Sequence, residues 1–290
     1  QENWDVPACA VLQLDPKLTK PTQASFRGLS GNIRFAWTMV FVLIAVVFAG
    51  FHIYHRFALP RPESDVANRS SDGSFFKEFL TTFAEFFRKK NIGVILLFLL
   101  VYRLGESQLV KMAAPFLLDT RPDGGLAYST EAVGTIYGTV GVIFLSAGGI
   151  LGGILISRHG LGKWMLPMIL SLNLPNALYA LLALTQTDSL WAVLATVVAE
   201  QFGYGFGFAA FLMYLIYIAD GPAKTAHYAI ATGFMALGMM VPGMISGYMQ
   251  QWLGYGGFFV WVVLAALPVL LLMRRIHYPA DYGKKGAEHA

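Results

Sequence analysis

Four ionisable residues fall where the sequence is otherwise too apolar to carry them. Arg103, Glu106 and Lys111 interrupt one hydrophobic run, and Glu200 interrupts another. At bilayer depth each such group costs on the order of 3 kcal/mol, so as a rule it is paired or wetted and has a function. At about 100° per residue, Arg103, Ser107 and Lys111 climb one stripe of a helix, with Glu106 about 60° to the side of Arg103. That face is expected to look into a watery passage. Glu200, Tyr204, Gly207, Phe211 and Tyr214 share a face of a second helix, which sets a carboxylate above aromatic and small residues. At 1.5 Å of rise per residue, Arg103 lies roughly 18 Å from one membrane entry and Glu200 roughly 15 Å from the other. A guanidinium and a carboxylate that meet near the midplane can alternate between a salt bridge and a protonated acid, the minimum machinery of proton coupling. The competing reading is a static bridge, Arg103 to Glu106 or Arg103 to Glu200, that only fixes helix packing. Lys111, nearer a span end, also suits simple snorkelling.

The elements that must hold these groups are set by composition. Of 290 residues, 56% are hydrophobic and 13% charged, against about 25% charged in soluble domains. A bilayer needs roughly 20 apolar residues per crossing helix, and seven runs qualify, over 33–52, 91–118, 132–157, 164–184, 190–219, 226–252 and 256–276. The fold class expected is therefore all-α integral membrane, with seven transmembrane helices. Arg56, Arg61, Arg69, Lys77, Arg88, Lys89, Lys90, Arg158, Lys163, Lys224, Arg274, Arg275, Lys284 and Lys285 fall on one side of such a threading. Lys17, Lys20, Arg27 and Arg121 fall on the other. The positive-inside rule then puts the tail, 277–290, in the cytoplasm and the lead segment, 1–32, in the periplasm. The net charge of +4 is topological, with no aromatic-interleaved basic stripe for nucleic acid. A single cysteine, Cys9, forms no internal disulfide. No HExxH, Walker loop or G-x-S-x-G is present, and the six histidines avoid the span centres, so neither a metal site nor an enzyme is expected. Position 1 is Gln and an odd span count follows a long exterior lead, which reads as a chain truncated at its start.

Between the first two runs, 53–90 forms a connection whose second half repeats Phe at three- and four-residue steps. That is the pattern of an interfacial amphipathic helix over 74–90, either a passive linker or a coupling element, with Arg88, Lys89 and Lys90 suited to anionic lipid. Gly134, Gly138, Gly141, Gly148 and Gly152 make a smooth face on the third run, open to a neighbouring helix. Pro242 and Gly243 suit a hinge in the sixth, although a tolerated kink is commoner. Asn173, Pro175 and Asn176 interrupt the fourth, where an interhelical hydrogen bond accounts for the asparagines more readily than a substrate contact.

Ser157, Arg158, Gly160 and Lys163 follow the third run in the order Gly153-Ile-Leu-Ile-Ser157-Arg158-His159-Gly160-Leu-Gly162-Lys163. This resembles the major facilitator signature G-x-x-x-D-R-x-G-x-R/K, with Ser157 in place of Asp and the last base displaced by one. The stretches 102–111 (Tyr-Arg-Leu-Gly-Glu-Ser-Gln-Leu-Val-Lys), 200–210 and 224–243 are together similar to the AmpG-type muropeptide permeases of that superfamily, over about 33–276. The resemblance implies a twelve-helix transporter of the bacterial inner membrane. Residues 33–52 would correspond to its helix six, 53–90 to the central cytoplasmic linker and 91–276 to the C-terminal six-helix bundle, so the N-terminal six-helix half becomes an expected partner. It implies proton-driven import of anhydro-muropeptides, anionic glycopeptide cargo, with no cofactor beyond the proton gradient. Arg103, Lys111 and Ser107 would then face cargo carboxylates, Tyr204 and Tyr214 its sugar, and Glu106 or Glu200 the proton. Ser157, Arg158, Gly160 and Lys163 would form the conformational loop and Pro242 with Gly243 the hinge. An acetyl-CoA or other anionic-solute carrier, and a self-sufficient seven-helix sensor or non-transporting subunit, stay open beside it.

Overall fold

In the computed structural model, residues 33–59 and 75–286 are described, with side chains from 34–59 and 80–286. The lead segment 1–32, the first half of the linker at 60–74 and the last four residues of the tail lie outside them. The chain divides into two units, Gln1–Ser71 and Asp72–Ala290. In the first, α1 (Ile33–Ala58) is apolar on all sides and exposed along its described length. A helix of that length and composition suits hydrocarbon.

The second unit begins with α2 (Phe75–Phe87), the expected amphipathic segment. Phe86 is fully buried and meets the His227 ring at 5.6 Å, while Leu80 stays exposed. The helix therefore docks by its C-terminal end. After a turn in which Asn91 takes φ 59, the chain enters α3 (Ile92–Val101) and α4 (Leu104–Leu118). There follow α5 (Thr130–Thr135), a π-helical stretch (Ile136–Gly141) and α6 (Val142–His159), then α7 (Leu161–Asn173) and α8 (Asn176–Thr185). The set closes with α9 (Leu190–Ala219), α10 (Lys224–Ala265) and α11 (Leu267–Leu272).

Among the described residues, six stretches are long and apolar enough to cross a membrane, the last of them the 49 residues Lys224–Leu272. That stretch is two crossings. At Gly254 the backbone leaves the helix with φ 66 and ψ 171. Before that point Gly238 lies on Leu100 and Gly243 on Lys111; after it Val262 lies on Gly105 and Tyr255 reaches Asp119. The two parts run in opposite directions along α3 and α4. With α1, the all-α membrane architecture of seven crossings follows, and the predicted joint at 253–255 is the turn.

Interior packing rests on glycine. A Cβ on Gly203 would come within 2.0 Å of the Ser171 carbonyl oxygen, and one on Gly205 within 2.0 Å of that of Leu145. Helix α9 is thus in backbone contact with α7 on one side and α6 on the other. From α6, Gly148 and Gly152 press on Phe202 and Ala209 as the smooth face predicts, whereas Gly134 and Gly138 have nothing within 4 Å.

Two apolar cores result. One gathers Phe98, Tyr102, Met168, Phe211 and Tyr214, the other Leu109, Phe116, Tyr179, Val197 and Phe259. Between their sequence limits lie the buried polar residues Arg103, Glu106, Ser107 and Gln108 on one helix pair, Asn173 and Asn176 on another, and Glu200 on α9. The polar residues form a belt across the middle of the bundle.

One end of the bundle collects the basic loops. Lys89 Nζ donates to the carbonyls of Ile218 (2.5 Å) and Asp220 (3.0 Å). The tail is stitched to the α6–α7 turn by Leu161 N to Tyr282 O, Gly162 N to Ala280 O and Lys285 N to Ser157 O, at 2.8–2.9 Å. At the opposite end Arg121 donates to Gln186 O and pairs with Asp188 at 2.6 Å.

Candidate functional site

The site is built where the second crossing breaks. Helix α3 stops at Val101 and α4 starts at Leu104, with Arg103 between them at φ −111, ψ 19. No proline or glycine stands at 101–103; tertiary contacts hold the break. Tyr102 donates its hydroxyl to Gly207 O at 2.8 Å and stacks on Phe211 with ring centres 4.2 Å apart. Arg103 is thereby swung into the belt.

There it forms a two-pronged bridge with Glu106, Nε to Oε2 at 2.8 Å and Nη2 to Oε1 at 3.1 Å. Nη2 also donates to the Tyr204 hydroxyl at 2.8 Å, and Nη1 faces Met239 Sδ. The guanidinium carbon lies 4.9 Å from the Tyr204 ring centre and 5.0 Å from that of Phe208, within cation–π range. Arg103 is 3% and Glu106 1% exposed. The roof over them, Tyr204, Phe208 and Met239, is itself only half-buried. One layer of side chains separates the ion pair from the surface.

Glu200, 2% exposed, sits in a second cluster. Both its oxygens accept from Gln201 Nε2 at 2.9–3.0 Å, and Oε2 accepts from the Tyr179 hydroxyl at 3.4 Å. Tyr179 is in turn hydrogen-bonded to the Tyr137 hydroxyl from the π-helical stretch. Glu200 has no cation partner among the described residues.

Several expectations are corrected. The bridge is Arg103 to Glu106, not Arg103 to Glu200: both groups reach the belt, but Glu200 turns toward α8. The helix breaks at Arg103, yet Ser107 N still bonds Arg103 O at 2.7 Å, and Arg103, Ser107 and Lys111 lie against Met239 and Gly243 of α10. Packing buries Arg103, Glu106 and Glu200, so the watery passage expected beside them does not reach their side chains, whereas Lys111 is exposed. Ser107, 2% exposed, spends its hydroxyl on Leu104 O at 3.1 Å. Lys111 is exposed, its stem against Gly243. Tyr214, 1% exposed, packs edge-on to Phe98 at 5.1 Å inside the core that also holds Tyr102 and Phe211. Helix α10 continues through Pro242 and Gly243, and its departure from helical geometry falls at Gly254. The Ser157–Lys163 loop carries Gly160 at φ 84, where a Cβ would meet Ala280 O at 2.5 Å; Arg158 and Lys163 are exposed.

The asparagines also differ from expectation. Asn173 Nδ2 bonds Ile169 O of its own helix at 2.8 Å, while its Oδ1 and both polar atoms of Asn176 have no hydrogen-bond partner among the described residues. The Asn176 amide lies against Gly105, beside Glu106 in the belt. The Tyr179–Tyr137 link and the Trp261 Nε1 to Gln108 Oε1 bond at 3.0 Å escape sequence reasoning, since single aromatic residues in apolar runs read as core.

No family model matches the chain. It is similar to the "Anhydromuropeptide permease" of Escherichia coli (strain K12), 28% identical over 198 residues, which cover 68% of this chain and 39% of that protein. It is 25% identical over 242 residues to the Rickettsia felis protein named "Putative transporter AmpG 4", covering 82% of this chain and 56% of that one. An uncharacterized Haemophilus influenzae protein is 23% identical over 250 residues. The chain spans from about two fifths to a little over half the length of these relatives. With mid-membrane charges on seven apolar crossings, the chain is a relative of the AmpG-type permeases.

Proposed function

We propose that the chain is the C-terminal part of a proton-coupled secondary transporter of the bacterial inner membrane that imports anhydro-muropeptides, working with an N-terminal six-helix half. The observation that carries the reading is the Arg103–Glu106 bridge with its Tyr204 bond, an ion pair held mid-membrane beneath a single partly exposed layer. A buried pair of this kind adds little stability over an apolar replacement, so its retention favours a working role. An anionic cargo and Glu106 would compete for the same guanidinium. Protonation of Glu106 releases Arg103 to a cargo carboxylate, and loss of the proton recloses the bridge and expels it. Tyr204 and Phe208 supply ring faces for a sugar, and exposed Lys111 gives a second cation for the peptide carboxylates. Glu200, bonded only to neutral donors, is the second proton site. The basic loops gathered at the tail end support a cytoplasmic tail.

The test is uptake of labelled anhydro-muropeptide by the complete transporter containing this segment. Arg103→Ala is expected to abolish uptake and Glu106→Gln to remove its dependence on the proton gradient. Unchanged, gradient-dependent uptake in both variants would refute the mechanism.

A further inference from the structure

At the end of the bundle that carries the tail, a cavity of about 360 Å³ opens between the α2–α3 turn, the last turn of α9 and the segment after α11. Its charges divide into two kinds. Asp220 is engaged by Lys224 at 2.7 Å, and Lys89 is spent on the Ile218 and Asp220 carbonyls. Lys90 and Arg275 are exposed and make no ion pair with any described acid, and His277 stands beside them. Below these cations the wall is apolar, made by Val94 and Ile95, and Leu97, 47% exposed, extends it along α3. The polar mouth sits where the apolar stretches Ile92–Leu118 and Lys224–Leu272 reach their ends, the depth of lipid headgroups.

We infer that this cavity is a binding site for an anionic phospholipid, with the headgroup phosphate on Lys90 and Arg275 and an acyl chain along Val94 and Leu97. Two cations without an acid partner among the described residues fit a phosphate oxyanion. The apolar wall directly beneath them has no use for a free phosphate ion and matches a chain attached to one. Basic pockets between helices at this depth bind such headgroups. The inference does not depend on the transport reading.

The 290-residue chain, purified in micelles doped with equal phosphatidylglycerol and phosphatidylcholine, is to be examined by native mass spectrometry for retained lipid. Retention of phosphatidylglycerol over phosphatidylcholine is expected. It should fall about thirtyfold in Lys90→Gln/Arg275→Gln, the loss expected for two cations near an anionic surface. It should persist in the charge-preserving Lys90→Arg/Arg275→Lys and in Lys163→Gln/Lys284→Gln, which removes as much charge elsewhere on the same end. Equal loss in that last variant would overturn the site in favour of general surface charge. Displacement of the lipid by millimolar inorganic phosphate would overturn the lipid assignment in favour of a free anion. Lack of any preference between the two lipids would overturn both.

Discussion

Glu106 and Glu200 are equally buried carboxylates in one polar belt, yet they are held by different chemistry. Glu106 is gripped by a guanidinium three residues earlier on its own crossing; Glu200 is held by an amide and a phenol. The first is half of an ion pair and the second a member of a neutral hydrogen-bond chain. A charge-neutral substitution therefore has opposite structural meaning at the two positions: it orphans a buried cation in one and leaves only donors in the other.

The contrast is tested most strongly by matched amides. Glu106→Gln strands Arg103 inside the bundle and is expected to cost about 3–5 kcal/mol. Glu200→Gln keeps an acceptor for Tyr179 and is expected to cost about 1 kcal/mol or less. Chemical unfolding in mixed micelles reads both, and the double variant Arg103→Gln/Glu106→Gln should recover most of the larger loss. Equal effects at Glu106 and Glu200 would erase the distinction.

A second test moves one site and spares the other. Arg103 and Glu106 stand at the start of the same helix, whereas Glu200 travels with α9, whose seat is set by Gly203 against Ser171 O. Gly203→Ala is expected to destabilise by about 1–3 kcal/mol through the forced separation. Gly138→Ala, with open space around it, is expected to be neutral or stabilising by up to about 1 kcal/mol. A Gly203→Ala protein as stable as Gly138→Ala would show that the α7–α9 contact does not fix Glu200.

The smallest effect lies at the tail end and provides an exposed reference. The hydrogen bond from Lys224 holds the Asp220 carboxyl below its ordinary value, reinforced by the Gly221 amide. A depressed carboxylate adds stability above its unfolded pKa, about 3.9, and loses it as pH falls through the lower folded value. Both partners are exposed, so the effect is small. Asp220→Asn should flatten that acid limb slightly and leave unfolding at pH 7 nearly unchanged; a large change at pH 7 would mean that this surface pair matters as much as the buried one.

Much of the architecture is legible in the residues. Runs of about 20 apolar residues, the basic loops and the 253–255 joint place the crossings because hydrocarbon thickness and charge cost act locally along the chain. The level of Arg103 and Glu200 is also legible, since rise per residue is fixed. Their azimuths are not. The break at Tyr102–Arg103 goes with contacts to Phe211 and Gly207, more than a hundred residues away, which no local pattern announces. Burial of Tyr214 is lost for the same reason: the face it shares with Tyr204 is evident, but which part of that face meets Phe98 is decided by packing. Pro242 and Gly243 read in the sequence as a hinge or a tolerated kink; α10 is helical through them, and its non-helical residue is Gly254.

The three backbone bonds joining residues 280–285 to the α6–α7 turn make those two segments one mechanical block. If the bundle rocks, they ride together, and any motion that parted them from the free end would release Lys285 first, then Tyr282 and then Ala280, like a zip. A reporter placed on the turn would then record the position of the tail as well.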